Sequence, residues 1–221
     1  MPAIKEITIY KYGELSEQAQ QKAREWYIEG MDYEWWEGVY ESAKEDGYEL
    51  GFCIDKIYFS GFCSQGDGAS WVGQVDVRQW LEAHEKDSIG VSAWCQLIQE
   101  DVIGKHVKVV ANNSHYCHES TMQFDDVEDD TDVEDDYVMQ LPSIFKGMTV
   151  ANLFDIIVSD PECSIKATHP LTQSITESGK DFARHIYQRL REEYEYLCSE
   201  EMMLDHFDAN DYFFDSDGRL A

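Results

Sequence analysis

The first residues of the chain alternate between apolar and polar side chains. In residues 4–12 (IKEITIYKY), Ile7 and Ile9 fall on one face and polar residues fall on the other. Successive side chains of a strand point to opposite faces of the sheet, so this pattern predicts a half-buried strand. Gly13 is expected to end the strand.

Two segments with helical spacing of apolar residues follow. Ser16 is a typical N-cap residue and Gly30 a typical stop, which predicts a helix over residues 17–29. A second helix is predicted over residues 33–45, where glutamates that would repel phosphate accompany two tryptophans and favour core packing over base stacking. The apolar faces of the two helices comprise Ala19, Ala23, Trp26 and Tyr27, and Trp35, Trp36, Val39, Tyr40 and Ala43.

Two runs rich in aromatic and β-branched residues flank a loop that contains two glycines. Residues 54–62 and 71–75 are therefore predicted to form a hairpin around residues 64–69 (SQGDGA). Further along, helices are predicted over residues 77–85 and 91–100, and strands over residues 105–111 and 116–124 with a turn at 112–114.

The C-terminal half has the strongest helical pattern, over residues 176–207. Before it we expect a small helical insertion within residues 141–170, with a short helix at 150–158, and then a loop at 168–172. After it we expect a strand at 212–214 and a turn at 215–218. The whole chain, residues 1–221, is interpreted as one α+β domain: an antiparallel meander sheet packed by the N-terminal helices and one long C-terminal helix.

The charge of the chain bears on its function rather than on its fold. The sequence has 17 Lys and Arg residues against 45 Asp and Glu residues, a formal net charge of −28, yet 43% of it is hydrophobic, which is enough for a core. Such a charge disfavours direct binding of nucleic acid and favours a basic protein as partner. Adaptation for solubility or for high salt explains the same charge and stays open as an alternative.

One low-complexity segment, residues 125–136 (DDVEDDTDVEDD), concentrates the charge. Blocks of like charge are usually solvated, so we interpret this segment as an acidic insert and as the candidate partner-binding surface. Its carboxylates are Asp125, Asp126, Glu128, Asp129, Asp130, Asp132, Glu134, Asp135 and Asp136. The glutamates of residues 33–45 and 192–201 are expected to add to this surface.

Cysteine usage and hydropathy bear on the compartment. The six cysteines form no C-x-x-C pair, and no apolar run has the length of a membrane span. A reducing cytoplasm is the expected location, with no membrane association. No cofactor is expected either, and no metal, because the aspartate-rich segments lack the ligand spacing of a calcium loop.

A rival hypothesis is a small enzyme or ligand-binding protein. Its candidate site combines Gln65 and Asp67 of the glycine loop with His115 and His118, an acid/base pair if the fold brings them together. The two histidines are also metal-capable types, although no second half-site accompanies them. The structural alternative is that Asp67 caps the backbone of its own loop. No catalytic residue is assigned, and an enzyme is the less favoured class.

Four stretches resemble a family of uncharacterised bacteriophage and prophage proteins: YKYGELSEQAQQKAREWY, SGFCSQGDGASWVG, HYCHESTM and EEYEYLCSEEMMLDHFDANDYFFDSDGR. The resemblance implies a phage origin, and with it the cytoplasm of a host cell as the location. By analogy with other small acidic phage proteins, it implies an inhibitor of a host defence system. We therefore expect an acidic DNA mimic of the anti-CRISPR or anti-restriction type, which occupies the basic surface of a CRISPR effector or restriction enzyme. An antitoxin-like protein that masks a basic toxin is a second alternative.

Overall fold

A computed structural model describes residues 7–31, 34–84, 105–111, 116–125 and 164–221, with side chains of the last segment from residue 171 onward. The chain divides into two compact units, Met1–Gly38 with Arg189–Ala221, and Val39–Gln188. The predictions for residues 91–100, 112–114, 126–136 and 150–158 lie outside the described residues, as does His115.

The first unit is built on helix α1 (Glu17–Glu29) and helix α5 (Glu200–Ala209). Ser16 caps α1 as predicted, since its side chain accepts a hydrogen bond from the backbone N–H of Ala19 at 3.4 Å. The face predicted for α1 is largely buried, because Ala19, Ala23 and Tyr27 lie in the core. The sequence pattern therefore identified both the start of α1 and the side that it buries.

Aromatic rings fill the core of the first unit. The ring of Phe207 lies 5.0 Å from that of Phe214 and 5.7 Å from that of Tyr27. Both contacts are edge-on, which is an arrangement that aromatic pairs favour. The hydroxyl of Tyr27 donates a hydrogen bond to the carbonyl of Leu197 at 3.0 Å. These contacts hold α1 and α5 together around one apolar centre.

The second unit contains an antiparallel sheet of four strands in the order β1-β2-β3-β4. The strands are β1 (Phe52–Phe59), β2 (Ala69–Asp76), β3 (His106–Ala111) and β4 (Met122–Phe124). Strands β1 and β2 form the predicted hairpin around the glycine loop. Alternation along β2 places Trp71 and Val75 in the core. Phe52 and Ile57 of β1 are both buried although they are five residues apart, because the register shifts between Ile54 and Lys56.

Three helices accompany this sheet: α2 (Glu37–Glu49), α3 (Val77–His84) and α4 (Ser164–Leu197). The indole N–H of Trp71, in β2, donates to the carbonyl of Gly179 in α4 at 3.1 Å. The indole N–H of Trp80, in α3, donates to the hydroxyl of Ser178 at 2.8 Å. The α+β class, the antiparallel meander and the long C-terminal helix are confirmed.

The strand predicted at residues 4–12 is wrong over its described part. Only Tyr10 pairs, in an isolated bridge to Phe214. Ile7 and Ile9 are 56% and 45% exposed, so the alternation does not mark a buried face. A 3₁₀ turn at Tyr12–Glu14 follows instead, because the carboxylate of Glu14 accepts the backbone N–H of Lys11 at 2.9 Å. The strand predicted at 212–214 is likewise reduced to bridges of Phe214 with Tyr10 and Leu220.

Two other boundaries differ from prediction. The strand predicted over residues 116–124 is confined to β4, since His118 caps a 3₁₀ turn at Glu119–Thr121. The second helix begins at Glu37 rather than at residue 33 and continues to Glu49. The composition of residues 116–124 predicted a longer strand, and the cap at His118 restricts it to β4.

The start and the end predicted for the C-terminal helix, residues 176 and 207, are both wrong. Helix α4 already runs through residues 168–172, the predicted loop, and includes Pro170. Leu171 and Ile175 are buried, so its apolar stripe begins before residue 176. The predicted continuous helix then breaks at Ser199, whose hydroxyl accepts the backbone N–H of Met202 at 3.3 Å and starts α5.

Candidate functional site

The glycine loop uses its aspartate to hold its own backbone. The carboxylate oxygen Oδ2 of Asp67 accepts hydrogen bonds from the backbone N–H groups of Cys63 at 2.7 Å and Ser64 at 2.6 Å. The N–H of Asp67 donates in turn to the carbonyl of Ser64 at 3.0 Å. Gln65 is exposed at the tip of the loop. The capping role expected as the structural alternative for Asp67 is therefore the one its contacts favour.

The loop packs against the segment that carries His118. The hydroxyl of Ser60 accepts the N–H groups of Gly68 at 3.3 Å and Cys117 at 3.2 Å, which joins the two segments. A Cβ atom at Gly68 would lie 2.7 Å from Cα of His118, so the approach requires glycine. The fold therefore brings the glycine loop close to the segment of His118. The hypothesis of a ligand site at these residues requires this proximity.

The imidazole of His118 is occupied by local contacts. The N–H of Ser120 lies 3.2 Å from Nδ1 of His118. Since an amide N–H can only donate, this nitrogen acts as an acceptor and caps the 3₁₀ turn. Glu119 lies 3.1 Å from the same nitrogen, an ion pair that would need a proton on Nδ1 and so competes with the amide bond. We favour the capping arrangement, because the hydroxyl of Ser120, at 2.8 Å, can also donate to Nδ1.

Burial favours the neutral forms of one tyrosine and three cysteines. It raises the pKa of the Cys117 thiol and, with Cys117 nearby, raises the pKa of Tyr40 to about 12. Burial also raises the pKa of the thiols of Cys53 and Cys198. None of these three thiols has the lowered pKa that marks a nucleophilic cysteine.

A second feature lies in the first unit and consists of carboxylates. Residues 192–218 contain ten acidic residues and no Lys or Arg. We call these ten residues the C-terminal acidic surface: Glu192, Glu193, Glu195, Glu200, Glu201, Asp205, Asp208, Asp211, Asp215 and Asp217. Most of them are exposed; the side chains of Asp208 and Asp211, for example, are 81% and 90% exposed.

A few cations from elsewhere in the first unit reach this surface. The ammonium of Lys11 lies 3.5 Å from Asp211 and 4.0 Å from Asp208, and Arg24 lies 3.7 Å from Glu200. Hydrogen bonds from the N–H groups of Arg219 and Asp217 lower the pKa of Asp215. The charges of Arg219 and Lys22 also act on Asp215, so part of the negative charge of this surface is compensated by cations of the first unit.

Helix α2 carries a second line of carboxylates. Glu37, Glu41, Glu45 and Glu49 are exposed and follow one another at four-residue steps. Four residues of an α-helix rise by about 6 Å, so these charges form a stripe along one side of α2. Like charges at this spacing destabilise a helix slightly, so the stripe contributes nothing to the stability of α2.

The residues of the acidic insert lie outside the described residues, apart from Asp125. Asp125 is exposed, and its backbone N–H donates to the carbonyl of Lys108 at 3.0 Å, just after β4. The assignment of residues 125–136 as the partner-binding surface stays a prediction.

Sequence reasoning missed a cleft of about 480 Å³ in the second unit. Its apolar wall is formed by Leu50, Phe52 and Phe182. Its polar groups are Asp46, His84, Ser178, Asp181 and His185. One helical pair could have indicated it, since Asp181 and His185 are four residues apart and share a face of α4.

The described part of the chain contains no group of three or more His, Cys, Asp or Glu side chains arranged to hold a metal ion. None of its described helices is both long and apolar enough to cross a bilayer.

Comparison with known proteins identifies one family. A family described as a domain of unknown function (DUF8835) matches residues 35–200, about three quarters of the chain. No curated protein and no solved structure matches the chain.

Proposed function

Because the chain belongs to DUF8835, a family of domains of unknown function whose description names no activity, we propose a function from its surface charge. The protein acts as an acidic decoy. It binds the basic, nucleic-acid-binding surface of another protein and occupies the place of DNA there. It is a binding protein in this proposal, without catalytic chemistry of its own.

The observation that carries the proposal is the uneven distribution of charge along one helix and its continuation. In residues 164–188 of α4, Lys166, Lys180 and Arg184 outnumber Glu177 and Asp181. From residue 192 to residue 218 there are ten carboxylates and no Lys or Arg. A protein that needed charge only for solubility would have no reason to concentrate it in this way. The clustering supports a surface that recognises a cationic partner.

Duplex DNA is the expected competitor of such a surface for the same partner. Duplex DNA presents about one negative charge per 1.7 Å of its axis, and proteins that bind it neutralise phosphates with Lys and Arg. Carboxylates fixed on α5 and on the end of α4 can accept the same side chains. Because the attraction is electrostatic, it weakens as salt screens the charges.

The nature of the partner follows from the same chemistry. A CRISPR effector or a restriction enzyme carries a basic channel for nucleic acid, and the resemblance to phage proteins makes a host defence enzyme the first candidate. A basic toxin masked by an antitoxin-like protein would use the same electrostatics. The enzyme alternative at Gln65, Asp67, His115 and His118 is less favoured, because Asp67 and His118 already serve as local caps.

Capture from a host lysate tests the proposal. The immobilised full chain is expected to retain nucleic-acid-binding proteins, and added duplex DNA or a rise in salt from about 50 to 200 mM should release them. Retention that neither duplex DNA nor salt reverses would overturn the proposal. Retention of a basic toxin that does not bind nucleic acid would overturn the DNA-mimic part and favour the antitoxin alternative.

A further inference from the structure

We propose that the C-terminal end of α5 forms a cation site, which Lys11 occupies in the free protein and which an arginine side chain of the partner takes over. The site consists of Asp208, Asp211 and Phe213, and Lys11 is an internal competitor of the partner. The inference rests on the proposed function, because it names the place on the C-terminal acidic surface where a cation of the partner binds. All four residues belong to the first unit.

The site is built from an aromatic ring as well as from carboxylates. The ammonium of Lys11 lies 4.4 Å from the centroid of the Phe213 ring. The same ammonium lies 3.5 Å from a carboxylate oxygen of Asp211 and 4.0 Å from one of Asp208. An aromatic face attracts a cation through its quadrupole, and the carboxylates attract it by their charge. A cation of the protein itself therefore already occupies this part of the acidic surface.

The end of α5 holds the two carboxylates in place. Asp211 follows the C-cap residue Asn210 and has a φ angle of 52°, in the left-handed region that commonly ends a helix. The N–H of Asp211 donates to the carbonyl of Asp208 at 3.2 Å, and the N–H of Tyr212 donates to the carbonyl of Phe207 at 2.9 Å. Because backbone hydrogen bonds fix this turn, the site keeps its form when the side chain of Lys11 leaves it.

Lys11 can leave the site without a change of the fold. Its backbone is held separately, since its N–H donates to the carboxylate of Glu14 at 2.9 Å. Its side chain is 38% exposed, and exposed ion pairs contribute little to stability because water and salt screen them. The two carboxylates of the site are exposed as well, so a cation that arrives from solvent can reach them.

The chemistry of the site favours arginine over lysine. The distances of the Lys11 ammonium, 3.5 Å and 4.0 Å, exceed those of a charge-assisted hydrogen bond, about 2.7–2.9 Å. A guanidinium is planar, stacks on an aromatic face and donates two parallel hydrogen bonds to one carboxylate. It therefore uses the ring of Phe213 and the carboxylates together. Proteins that bind DNA present such side chains to phosphates.

Calorimetric titration of the full chain with an acetylated tetra-arginine amide at about 50 mM salt tests the competition. Lys11→Met keeps an unbranched side chain and removes the charge, and it is expected to tighten binding about threefold. Lys56→Met is the matched control in the second unit, because Lys56 also lies over a ring, 4.6 Å from the centroid of Tyr58. Its affinity should stay close to that of the native chain. Equal effects of the two substitutions would overturn the inference.

A double variant locates the effect at the carboxylates of the site. Asparagine also tolerates left-handed backbone angles, so Asp211→Asn is compatible with the turn. Added to Lys11→Met, it is expected to abolish the gain in affinity. A gain that survives Asp211→Asn would mean that Lys11 acts only through the general field and would overturn the site.

A change of peptide tests the choice of cation. The Lys11→Met protein is expected to bind tetra-arginine about threefold more tightly than tetra-lysine, and Phe213→Leu should remove this preference because it removes the aromatic face. In NMR spectra, the ring signals of Phe213 should shift when tetra-arginine is added. Equal affinity for the two peptides before Phe213 is replaced would overturn the assignment of arginine.

The outcomes separate this inference from the decoy function. If nucleic-acid-binding proteins are retained from a lysate but Lys11→Met does not tighten the binding of tetra-arginine, the inference is overturned and the decoy proposal stands. If Lys11→Met tightens that binding but no nucleic-acid-binding protein is retained, the cation site is supported and the decoy function is overturned.

Discussion

At the scale of single residues, the polar side chains of the glycine loop serve the loop itself. Asp67 is a residue that sequence analysis placed correctly in a turn but could not assign to one role. Whether an aspartate between two glycines binds a ligand or its own backbone depends on the φ and ψ angles of its neighbours, which composition does not fix. Its contacts with the N–H groups of Cys63 and Ser64 decide the question here.

Removal of this cap should destabilise the protein. We expect Asp67→Ala to lower the free energy of unfolding by about 2 kcal/mol, since it removes two charge-assisted hydrogen bonds. Gln65→Ala, at an exposed position of the same loop, should leave it nearly unchanged. Urea denaturation measures both, and an unaltered stability of Asp67→Ala would mean that the carboxylate is available for another role.

A glycine near the C-terminus gives a second test at this scale. Gly218 has a φ angle of 82°, and a Cβ atom there would lie 2.0 Å from the carbonyl oxygen of Ala19. Gly218→Ala is therefore expected to lower the melting temperature clearly, through backbone strain and this clash. Gly13→Ala is the control, because no atom lies within 4 Å of its added Cβ. Similar melting temperatures for the two variants would contradict the described turn.

At the scale of elements, periodicity predicted which segments are helices better than where they begin and end. Helix α1 was predicted with its bounds, because a capping serine and a terminal glycine bracket a clear apolar stripe. Helix α4 was not, since it includes Pro170, a residue type that usually interrupts helices, and its buried stripe already contains Leu171. The break before α5 depends on one hydroxyl, that of Ser199, inside an otherwise continuous pattern.

The cap at Ser199 can be tested directly. Ser199→Ala should destabilise the protein by about 1 kcal/mol, because the N–H of Met202 loses its acceptor at the start of α5. Ser174→Ala, at an exposed position inside α4, should be neutral or slightly stabilising, since alanine is the better helix former. Denaturant titration followed by circular dichroism provides the measurement. Equal stability of the two variants would show that the break does not depend on the cap.

The cleft illustrates a limit of sequence reasoning at the element scale. Its residues come from residues 46–52, from α3 and from α4, which are separated in the chain and carry no shared motif. Helical spacing groups Asp181 with His185 on one face, but only packing places that face opposite His84. The sequence pointed instead to Gln65, Asp67 and His118, where histidine and glycine are conspicuous by type.

At the scale of the whole molecule, the proposed function depends mainly on the net charge of the chain. A net charge of −28 favours a cationic partner, and clustering of carboxylates in residues 192–218 gives that charge a location on the described surface. The antiparallel sheet and the long C-terminal helix followed from alternation and periodicity. The identity of the partner does not follow, since electrostatics specifies the sign of the partner rather than its structure.

In the proposed function, the C-terminal acidic surface binds the cations of the partner. The most direct measurement is the salt dependence of the dissociation constant for a captured partner, with the native chain, an acidic-surface variant (Glu195→Gln, Glu201→Gln, Asp205→Asn) and a control variant (Asp55→Asn, Glu82→Gln, Glu177→Gln) that changes charge equally. We expect weaker binding and a shallower salt slope for the acidic-surface variant, with the control close to the native chain. Equal slopes for all three proteins would contradict it.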